Sequence, residues 1–185
     1  MNKTLDPRVV RTRRLLINAL TELIVTGGYE PITIREIVQK AEVNRSTFYL
    51  HFRDKQDILT QMQDDLLNEL SKSLEYSLYT YELAINDYIN LNKPIKSHVS
   101  MFEHIQKYSS LYQKILSEKE FRERFTQGIK TEVLRFRDSV LEATFMANGA
   151  VGVILYWLDN GMKETITEMS LWLTQITLFP LGKFK

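Results

Sequence analysis

Apolar residues at helical spacing are the feature that most restricts the fold of this chain. Leu16, Ala19, Leu20, Leu23 and Ile24 fall three and four positions apart, which places them on one face of an amphipathic helix. Similar spacing recurs toward the end of the chain. With only 7 glycines and 4 prolines among 185 residues, the chain has few residues for hairpin turns. We therefore predict an all-α protein of about nine helices.

Capping signals divide the first part of the chain into helices. Gly27 and Gly28 can supply a left-handed cap, which predicts that a first helix from Pro7 ends there. Thr33 and Glu36 then form the pattern of a capping box, in which each side chain bonds the backbone N–H near the other residue. A second helix is therefore predicted to begin near residue 34.

A short break after the second helix predicts a helix-turn-helix. Residues 42–44 interrupt the apolar pattern, and a third, short helix is predicted over 45–52, with a longer fourth helix from Lys55. Two short helices joined by a three-residue turn, after a longer helix, are typical of DNA-binding proteins in which the second short helix enters the major groove.

The predicted third helix has an apolar side and a polar side. Phe48 and Phe52 lie four positions apart and are expected in the core, which leaves the polar side chains and Leu50 at the surface. Arg45 can bond guanine O6 and N7, whereas short hydroxyl side chains can reach base edges or phosphates. The candidate DNA-contacting residues are Thr33, Arg45, Ser46, Thr47, Tyr49, His51 and Lys55.

The segment from Thr33 to Lys55, with its Thr-Phe-Tyr-x-His-Phe core and the Gly-Gly-Tyr before it, resembles the DNA-binding domain of TetR-family bacterial transcription regulators. The resemblance implies a DNA-binding domain over 8–60, with the helix-turn-helix at 33–52, and a helical regulatory and dimerisation domain over 61–185. It also implies that Thr33 and Lys55 anchor phosphates and that Tyr49 and His51 contact the DNA backbone. Arg45, Ser46 and Thr47 would then read bases.

The chain departs from the family pattern at three positions. Val38 stands where alanine is frequent, Glu42 where glycine is common in the turn, and Asn44 where serine is common. If the turn needs a positive φ at Glu42, this side chain carries strain. A further family-like feature is an arm with the basic residues Lys3, Arg8, Arg11, Arg13 and Arg14, which could follow the minor groove or phosphates.

Two glycines near the end of the chain predict a close contact between helices. Gly149 and Gly152 are three apart on one helix face, and a self-complementary patch of this kind suits a two-fold interface. In TetR-type regulators the last two long helices pair with those of a second copy, and the residues around Trp157 resemble regulators related to the dihydroxyacetone-kinase operon. The candidate dimer residues are Gly149, Gly152, Tyr156, Met169, Trp172 and Ile176.

The resemblance also implies a cavity for a small effector among the middle helices. Leucine, methionine, tyrosine and phenylalanine side chains could form its adaptable apolar wall, although the same spacing is typical of an ordinary core. No charged residue there indicates the charge of an effector. The candidates are Leu66, Leu70, Phe102, Ile105, Tyr108, Tyr112 and Phe125, with Met101 and Ile129 beside them.

Composition argues against several other classes of protein. Lys and Arg total 24 against 23 Asp and Glu, so any excess of positive charge that binds DNA must be confined to one part of the chain. The absence of cysteine excludes thiol chemistry and Cys-ligated zinc. His98 and His104 are expected at the surface without a metal. No catalytic set accompanies them, so we expect neither an enzyme nor a cofactor.

The location expected from the sequence is the cytoplasm. Residues 1–14 are polar and lack the apolar segment of a signal peptide. Residues 145–158 are apolar but shorter than the roughly 20 residues that cross a membrane, so they predict a buried helix.

Together these features predict a homodimeric repressor that leaves an inverted-repeat operator when a small apolar effector binds. Two alternatives remain open: a constitutive or architectural DNA binder without effector, and a regulator acting through a protein partner.

Overall fold

The computed structural model describes residues 6–75, 80–135 and 137–179, and within these ranges the chain forms ten α-helices and no strand. The prediction of an all-α fold is confirmed. Contacts divide the chain into two compact units, one up to Leu66 and one from Leu67. The helices are α1 (Pro7–Gly27), α2 (Ile34–Lys40), α3 (Arg45–His51), α4 (Lys55–Leu74), α5 (Tyr81–Leu91), α6 (Lys96–Lys107), α7 (Ser109–Ile115), α8 (Lys119–Val133), α9 (Val140–Asp159) and α10 (Ile166–Leu178).

Local capping sets the helix ends of the first unit. The Asp6 carboxylate accepts a hydrogen bond from Arg8 N at 2.8 Å, and Pro7 occupies the first turn of α1, where its missing N–H costs nothing. The helix stops before Gly28, whose φ of 75° favours glycine. Asp54 Oδ1 accepts from Asp57 N at 2.8 Å and caps α4.

Phe48 of α3 and Phe52, which follows its last residue, fix the orientation of this helix in the first unit. Phe48 has no exposed surface and Phe52 is 2% exposed, and both rings lie in the core, with their centroids 5.7 Å apart. Most of the other core residues come from α1, α2 and α4; they include Leu16, Leu20, Ile24, Ile37 and Ile58. Because this side of α3 is buried, its other side is held outward.

The second unit is built around two helix pairs. α8 packs against α9, and α6 packs against α10. Trp157 of α9 is fully buried, lies edge-on to Phe102 at 5.3 Å between ring centroids, and donates its indole N–H to the carbonyl oxygen of Glu164 at 2.9 Å. The ring is thus buried without leaving its one polar group unpaired.

Two helix boundaries of the second unit differ from the sequence prediction. The apolar spacing of the sequence predicts one helix over 118–141 and the next from 143, but α8 ends at Val133 and α9 begins at Val140. The cause is Ser139, whose hydroxyl accepts from Glu142 N at 3.2 Å and starts α9 early. Pro94 disfavours helix at the residue before it, so the sequence predicts a break at 92–94, and a separate helix, α5, precedes that break.

Within the described residues, α9 alone has the length and apolar composition to cross a membrane. One side of this helix is nevertheless buried against the rest of its unit, as is typical of a core helix. The buried residues are Ala143, Met146, Ala147, Ala150, Val151, Ile154, Trp157 and Leu158.

Candidate nucleic-acid interface and effector cavity

The exposed side of α3 carries a paired arginine and tyrosine. The Arg45 Nη2 atom donates to the Tyr49 hydroxyl at 3.2 Å, and the guanidinium carbon lies 5.8 Å from the centroid of the Tyr49 ring. Arg45 and Ser46 are exposed and Thr47 is partly buried. The bond uses one of the five guanidinium donors, so the fork that would meet a guanine remains available.

Leu50 on the same helix was not among the predicted contacts. Its side chain is 83% exposed, although neighbouring Phe48 is fully buried. A large apolar residue held in solvent by a rigid helix can contact an apolar group of a partner. The helical period, which puts Leu50 opposite the phenylalanine side, was the signal that could have identified it.

The turn between α2 and α3 is closed by two backbone hydrogen bonds. Glu42 N donates to the Gln39 carbonyl oxygen at 3.2 Å, and Val43 N donates to that of Val38 at 3.0 Å. These are the bonds of a Schellman motif, whose central residue is left-handed and most often glycine. Glu42 has a φ of 55°, so the positive φ considered from the sequence is present. It strains the backbone at this residue, because the Cβ atom lies close to a carbonyl oxygen in the left-handed conformation.

Asn44 occupies the N-cap position of α3 but forms no side-chain capping bond. Thr33, in contrast, makes the complete predicted capping box. Its hydroxyl accepts from Glu36 N at 3.3 Å, and its backbone N donates to Glu36 Oε2 at 2.8 Å. The hydrogen bonds from Thr33 lower the pKa of Glu36, because they stabilise its charged form. Thr33 itself stays exposed at the start of α2.

Lys55 links the start of α4 to the loop before α2. Its Nζ atom donates to the carbonyl oxygens of Glu30 at 3.1 Å and Tyr29 at 3.4 Å, and lies 4.2 Å from the centroid of the Tyr29 ring. His51 is partly buried at the end of α3, with its ring 6.3 Å from Phe52.

The basic residues of α1 are not equivalent. Arg13 donates to Asp65 Oδ2 at 2.9 Å and to Gln61 Oε1 at 3.1 Å, so its charge is paired with α4. Arg8, Arg11 and Arg14 are exposed, whereas Lys3 lies outside the described residues.

An apolar face runs along the outside of α9 and continues on α10; we call it the α9–α10 face. Leu141 is 84% exposed, Phe145 73%, Tyr156 58% and Trp172 47%. A Cβ atom added at Gly149 or Gly152 would meet nothing within 4 Å. Of the residues predicted for the dimer, Gly149, Gly152, Tyr156 and Trp172 are exposed and Ile176 is partly buried. Met169 is 6% exposed and belongs to the core of its own chain, which removes it from this face.

The residues predicted to line a cavity are placed elsewhere. Six of them are buried core residues; these are Leu66, Leu70, Phe102, Ile105, Tyr112 and Phe125. Tyr108 is partly buried and donates its hydroxyl hydrogen to Glu69 Oε2 at 2.8 Å. None of the seven borders the apolar cavity of the second unit, so their contact with an effector stays a prediction.

A cavity of about 280 Å³ lies within the second unit, among helices α4 to α6 and α8 to α10. Most of its wall is apolar, and Met101 and Ile129, which were named beside the candidates, are in it. Phe145, Gly149 and Trp172 belong both to this wall and to the α9–α10 face. The other lining residues are Leu74, Tyr81, Ala84, Ile95, Ser97, His98, Glu132, Val133, Arg137, Met146, Ala150, Val153, Leu173, Ile176, Thr177 and Leu178.

Both histidines expected at the surface are at least partly buried. His98 lies in the cavity wall with Nδ1 3.0 Å from the Thr174 hydroxyl, which itself accepts from Ile95 N at 2.9 Å. Burial lowers the pKa of His98 to about 3. His104 is 6% exposed and bonds the Tyr112 hydroxyl through Nε2 at 3.1 Å. In the part of the chain that the structure describes, no group of histidine and carboxylate side chains could hold a metal ion.

Two family models match the chain. The model described as bacterial regulatory proteins, tetR family, matches residues 16–62, and the model described as transcriptional regulator C-terminal region matches residues 92–178. Together they span well over half of the chain.

Individual relatives agree with these models. The chain is 35% identical over 91 residues to YxbF of Bacillus subtilis, an uncharacterized HTH-type transcriptional regulator; the match covers 45% of this chain and 24% of YxbF. It is 24% identical over 75 residues to DhaS of Lactococcus lactis, an activator of the dhaKLM operon, covering 40% of each chain. The chain thus spans between a quarter and two fifths of these curated relatives.

Solved structures share the fold over nearly the whole chain. A TetR-family regulator from Streptomyces coelicolor has a TM-score of 0.70 at 15% identity and covers 91% of this chain and 79% of its own. The dihydroxyacetone kinase operon activator DhaS has a TM-score of 0.63 at 16% identity, covering 93% of this chain and 97% of its own. From the helix-turn-helix, the two family models and these folds, we conclude that the chain belongs to the TetR family, whose members are DNA-binding transcriptional regulators and not enzymes.

Proposed function

We propose that the chain is a sequence-specific, homodimeric repressor that binds an inverted-repeat operator and is released by a small molecule. The observation that carries the proposal is the outward side of α3. Phe48 anchors the helix while Arg45, Ser46 and Tyr49 stay exposed on it. In this proposal, residues 8–60 bind DNA and residues 61–185 provide dimerisation and regulation.

The side chains of α3 and its neighbours divide into two roles. Arg45, Ser46 and Thr47 read base edges in the major groove, where a guanine offers O6 and N7 to one guanidinium. The phosphate contacts come from Thr33, Tyr49, His51 and Lys55, and they fix the register of the protein on the duplex. Leu50, which is 83% exposed, adds an apolar contact to a thymine methyl group.

A second copy of the chain is the proposed partner on the α9–α10 face. Phe145 and Tyr156 are more than half exposed there, and the two exposed glycines between them leave space for a facing helix. One helix of seven residues contacts too few base pairs for specificity, whereas two helices about one DNA turn apart read an inverted repeat.

Effector control is supported by the cavity. Its volume of about 280 Å³ lies just below the lower end of the roughly 300 to 1,000 Å³ typical of ligand sites, which suits a small molecule. An effector that binds one conformation better than the other shifts the population away from the DNA-binding state. We place the protein in the cytoplasm with its operator, and we choose repression because occupying DNA requires no further contact with a partner protein.

The first experiment is a selection of purified full-length protein against random duplex DNA at moderate salt, followed by sequencing of the bound pool. An enriched inverted repeat supports the proposal that the protein binds DNA as a sequence-specific dimer. Salt-sensitive retention without enrichment indicates an architectural binder instead. No retention at all would refute DNA binding and favour regulation through a protein partner, against which the exposed Arg45 and Tyr49 argue.

The direction of regulation is tested with a reporter gene placed behind the selected operator. Repression predicts higher expression when the chain is deleted. Lower expression on deletion would make the chain an activator, which is the role that the name of DhaS assigns to that relative.

A further inference from the structure

One arginine in the cavity wall has a buried donor without a partner. Arg137 lies between α8 and α9, and its Nη2 atom donates to the Thr177 carbonyl oxygen at 2.7 Å. Its guanidinium carbon is 5.0 Å from the centroid of the Tyr81 ring. The Nε atom is buried and forms no hydrogen bond. Since buried N–H groups in folded proteins are nearly always paired, the guanidinium is incompletely hydrogen-bonded where it lies in the cavity wall.

The other polar groups of the wall leave Arg137 as the group that attracts an anion. Glu132 is also in the wall, but its Oε2 atom lies 3.0 Å from Arg135 Nη1, which offsets its charge. His98 is neutral at pH 7, because burial lowers its pKa to about 3; its Nδ1 atom lies 3.0 Å from the Thr174 hydroxyl. Nearly all the remaining wall is apolar.

We propose that this cavity binds a small amphipathic monocarboxylate, whose apolar part contacts the wall and whose carboxylate pairs with the Arg137 guanidinium. The inference rests on the proposed function, because it names the chemical class of the effector. A singly charged head matches the single positive charge of Arg137. A phosphate would bring about two negative charges at neutral pH beside Glu132. The volume of about 280 Å³ admits a short alkyl chain or one ring.

The charge of the ligand is tested first, on the wild-type full-length protein, by isothermal titration calorimetry. The probes are sodium hexanoate, octanoate and decanoate, with 1-octanol and octylammonium chloride as matched molecules of other charge. At least one carboxylate is expected to bind about tenfold or more tightly than 1-octanol, and octylammonium to bind most weakly. Two results would overturn the proposal. One is that none of the three carboxylates binds; the other is that octanoate is the tightest of them but binds no more tightly than 1-octanol.

The position of the charge is tested with two arginine variants. Arg137→Gln is expected to weaken the bound carboxylate about tenfold while leaving 1-octanol within about twofold. Arg122→Gln is the matched control, because Arg122 also donates to backbone carbonyl oxygens, those of Leu116 and Ser117, but lies outside the cavity wall. Equal losses in both variants would contradict the assignment. If Arg137→Gln does not fold by circular dichroism, the charge series on the wild type decides.

Fluorescence anisotropy with a labelled operator separates this inference from the function it rests on. Binding of a carboxylate that depends on Arg137 but leaves DNA affinity unchanged supports the cavity assignment and refutes release by this ligand. Intact operator binding with no carboxylate binding overturns the cavity assignment and leaves the DNA-binding proposal standing.

Discussion

The Nζ atom of Lys55 is 3.1 Å from the carbonyl oxygen of Glu30, so the first residue of α4 is bonded to the loop that precedes α2. An ammonium group has three hydrogens and can bond a phosphate oxygen while it keeps a carbonyl acceptor. The position thus connects the geometry of the helix-turn-helix to its proposed contact with DNA.

Lys55→Gln is expected to weaken binding to all DNA sequences about equally and to reduce the slope of log affinity against log salt by about one, because one phosphate contact is lost. The measurement is fluorescence anisotropy at several salt concentrations. Lys40→Gln is the matched control, since Lys40 is already paired with Glu22 at 2.6 Å. Equal slopes for Lys55→Gln and the wild type would show that Lys55 serves only the fold.

Arg45→Ala is expected to cost roughly 1 to 3 kcal/mol of binding to the best operator and to relax the choice at one base pair. Tyr49→Ala, which removes the partner of Arg45, is expected to weaken all sequences alike. Selection from random DNA followed by sequencing measures both effects. Unchanged base preference in Arg45→Ala would mean that another residue reads the operator.

Glu42→Gly is expected to stabilise the protein by roughly 0.5 to 1 kcal/mol, since relief of the left-handed strain exceeds the entropy lost by glycine. It also removes a negative charge near DNA, so affinity should rise. Urea unfolding and anisotropy measure the two effects. Glu42→Gln separates them, because it removes the charge but keeps a side chain at φ of 55°. Equal stability of Glu42→Gly and Glu42→Gln would count against strain at this turn.

Gly152→Leu is expected to block the close approach of a second α9 and to raise the dimer dissociation constant by roughly 30-fold or more. Sedimentation measures the change. Gly128→Leu is the control: Gly128 is also an exposed helical glycine with nothing within 4 Å of an added Cβ atom, but it lies on α8. A Gly152→Leu protein that remains dimeric would place the interface elsewhere.

His98→Asn is expected to make the protein less sensitive to acid. Because the folded-state pKa of His98 is about 3 and the ordinary value is 6.5, the unfolded state binds one more proton between these values. As pH falls from about 6 to 5, the free energy of unfolding of the wild type should therefore decrease by up to about 1.4 kcal/mol per pH unit more than that of the variant. Asparagine can still form a hydrogen bond with the Thr174 hydroxyl. If the free energy of unfolding changes equally with pH in the two proteins from pH 7 to 5, His98 does not determine the acid sensitivity.

Much of the first unit could be predicted because its signals are local. Thr33 and Glu36 mark the start of α2, and the spacing of Phe48 and Phe52 identifies the buried side of α3. These features depend on residues a few positions apart, where capping and helical period determine the outcome.

The cavity could not be located in this way. An apolar stripe predicts that Phe102 and Phe125 face inward, but whether they meet tightly or leave a space depends on several helices at once. Arg137 has no local signal, because its bond to Thr177 joins residues 40 positions apart. Ser139 and Glu142 did carry a readable capping pattern, and they would have placed the start of α9 correctly.

The cavity wall includes Phe145 and Trp172, which are also exposed on the α9–α10 face. If a second copy covers that face, it also covers part of the wall, and a bound molecule leaves only as fast as the two chains separate or loosen. Ligand residence time would then depend on protein concentration. A cell that makes more of the regulator would then keep the ligand bound for longer after the ligand has disappeared, without a change in the ligand affinity of either chain.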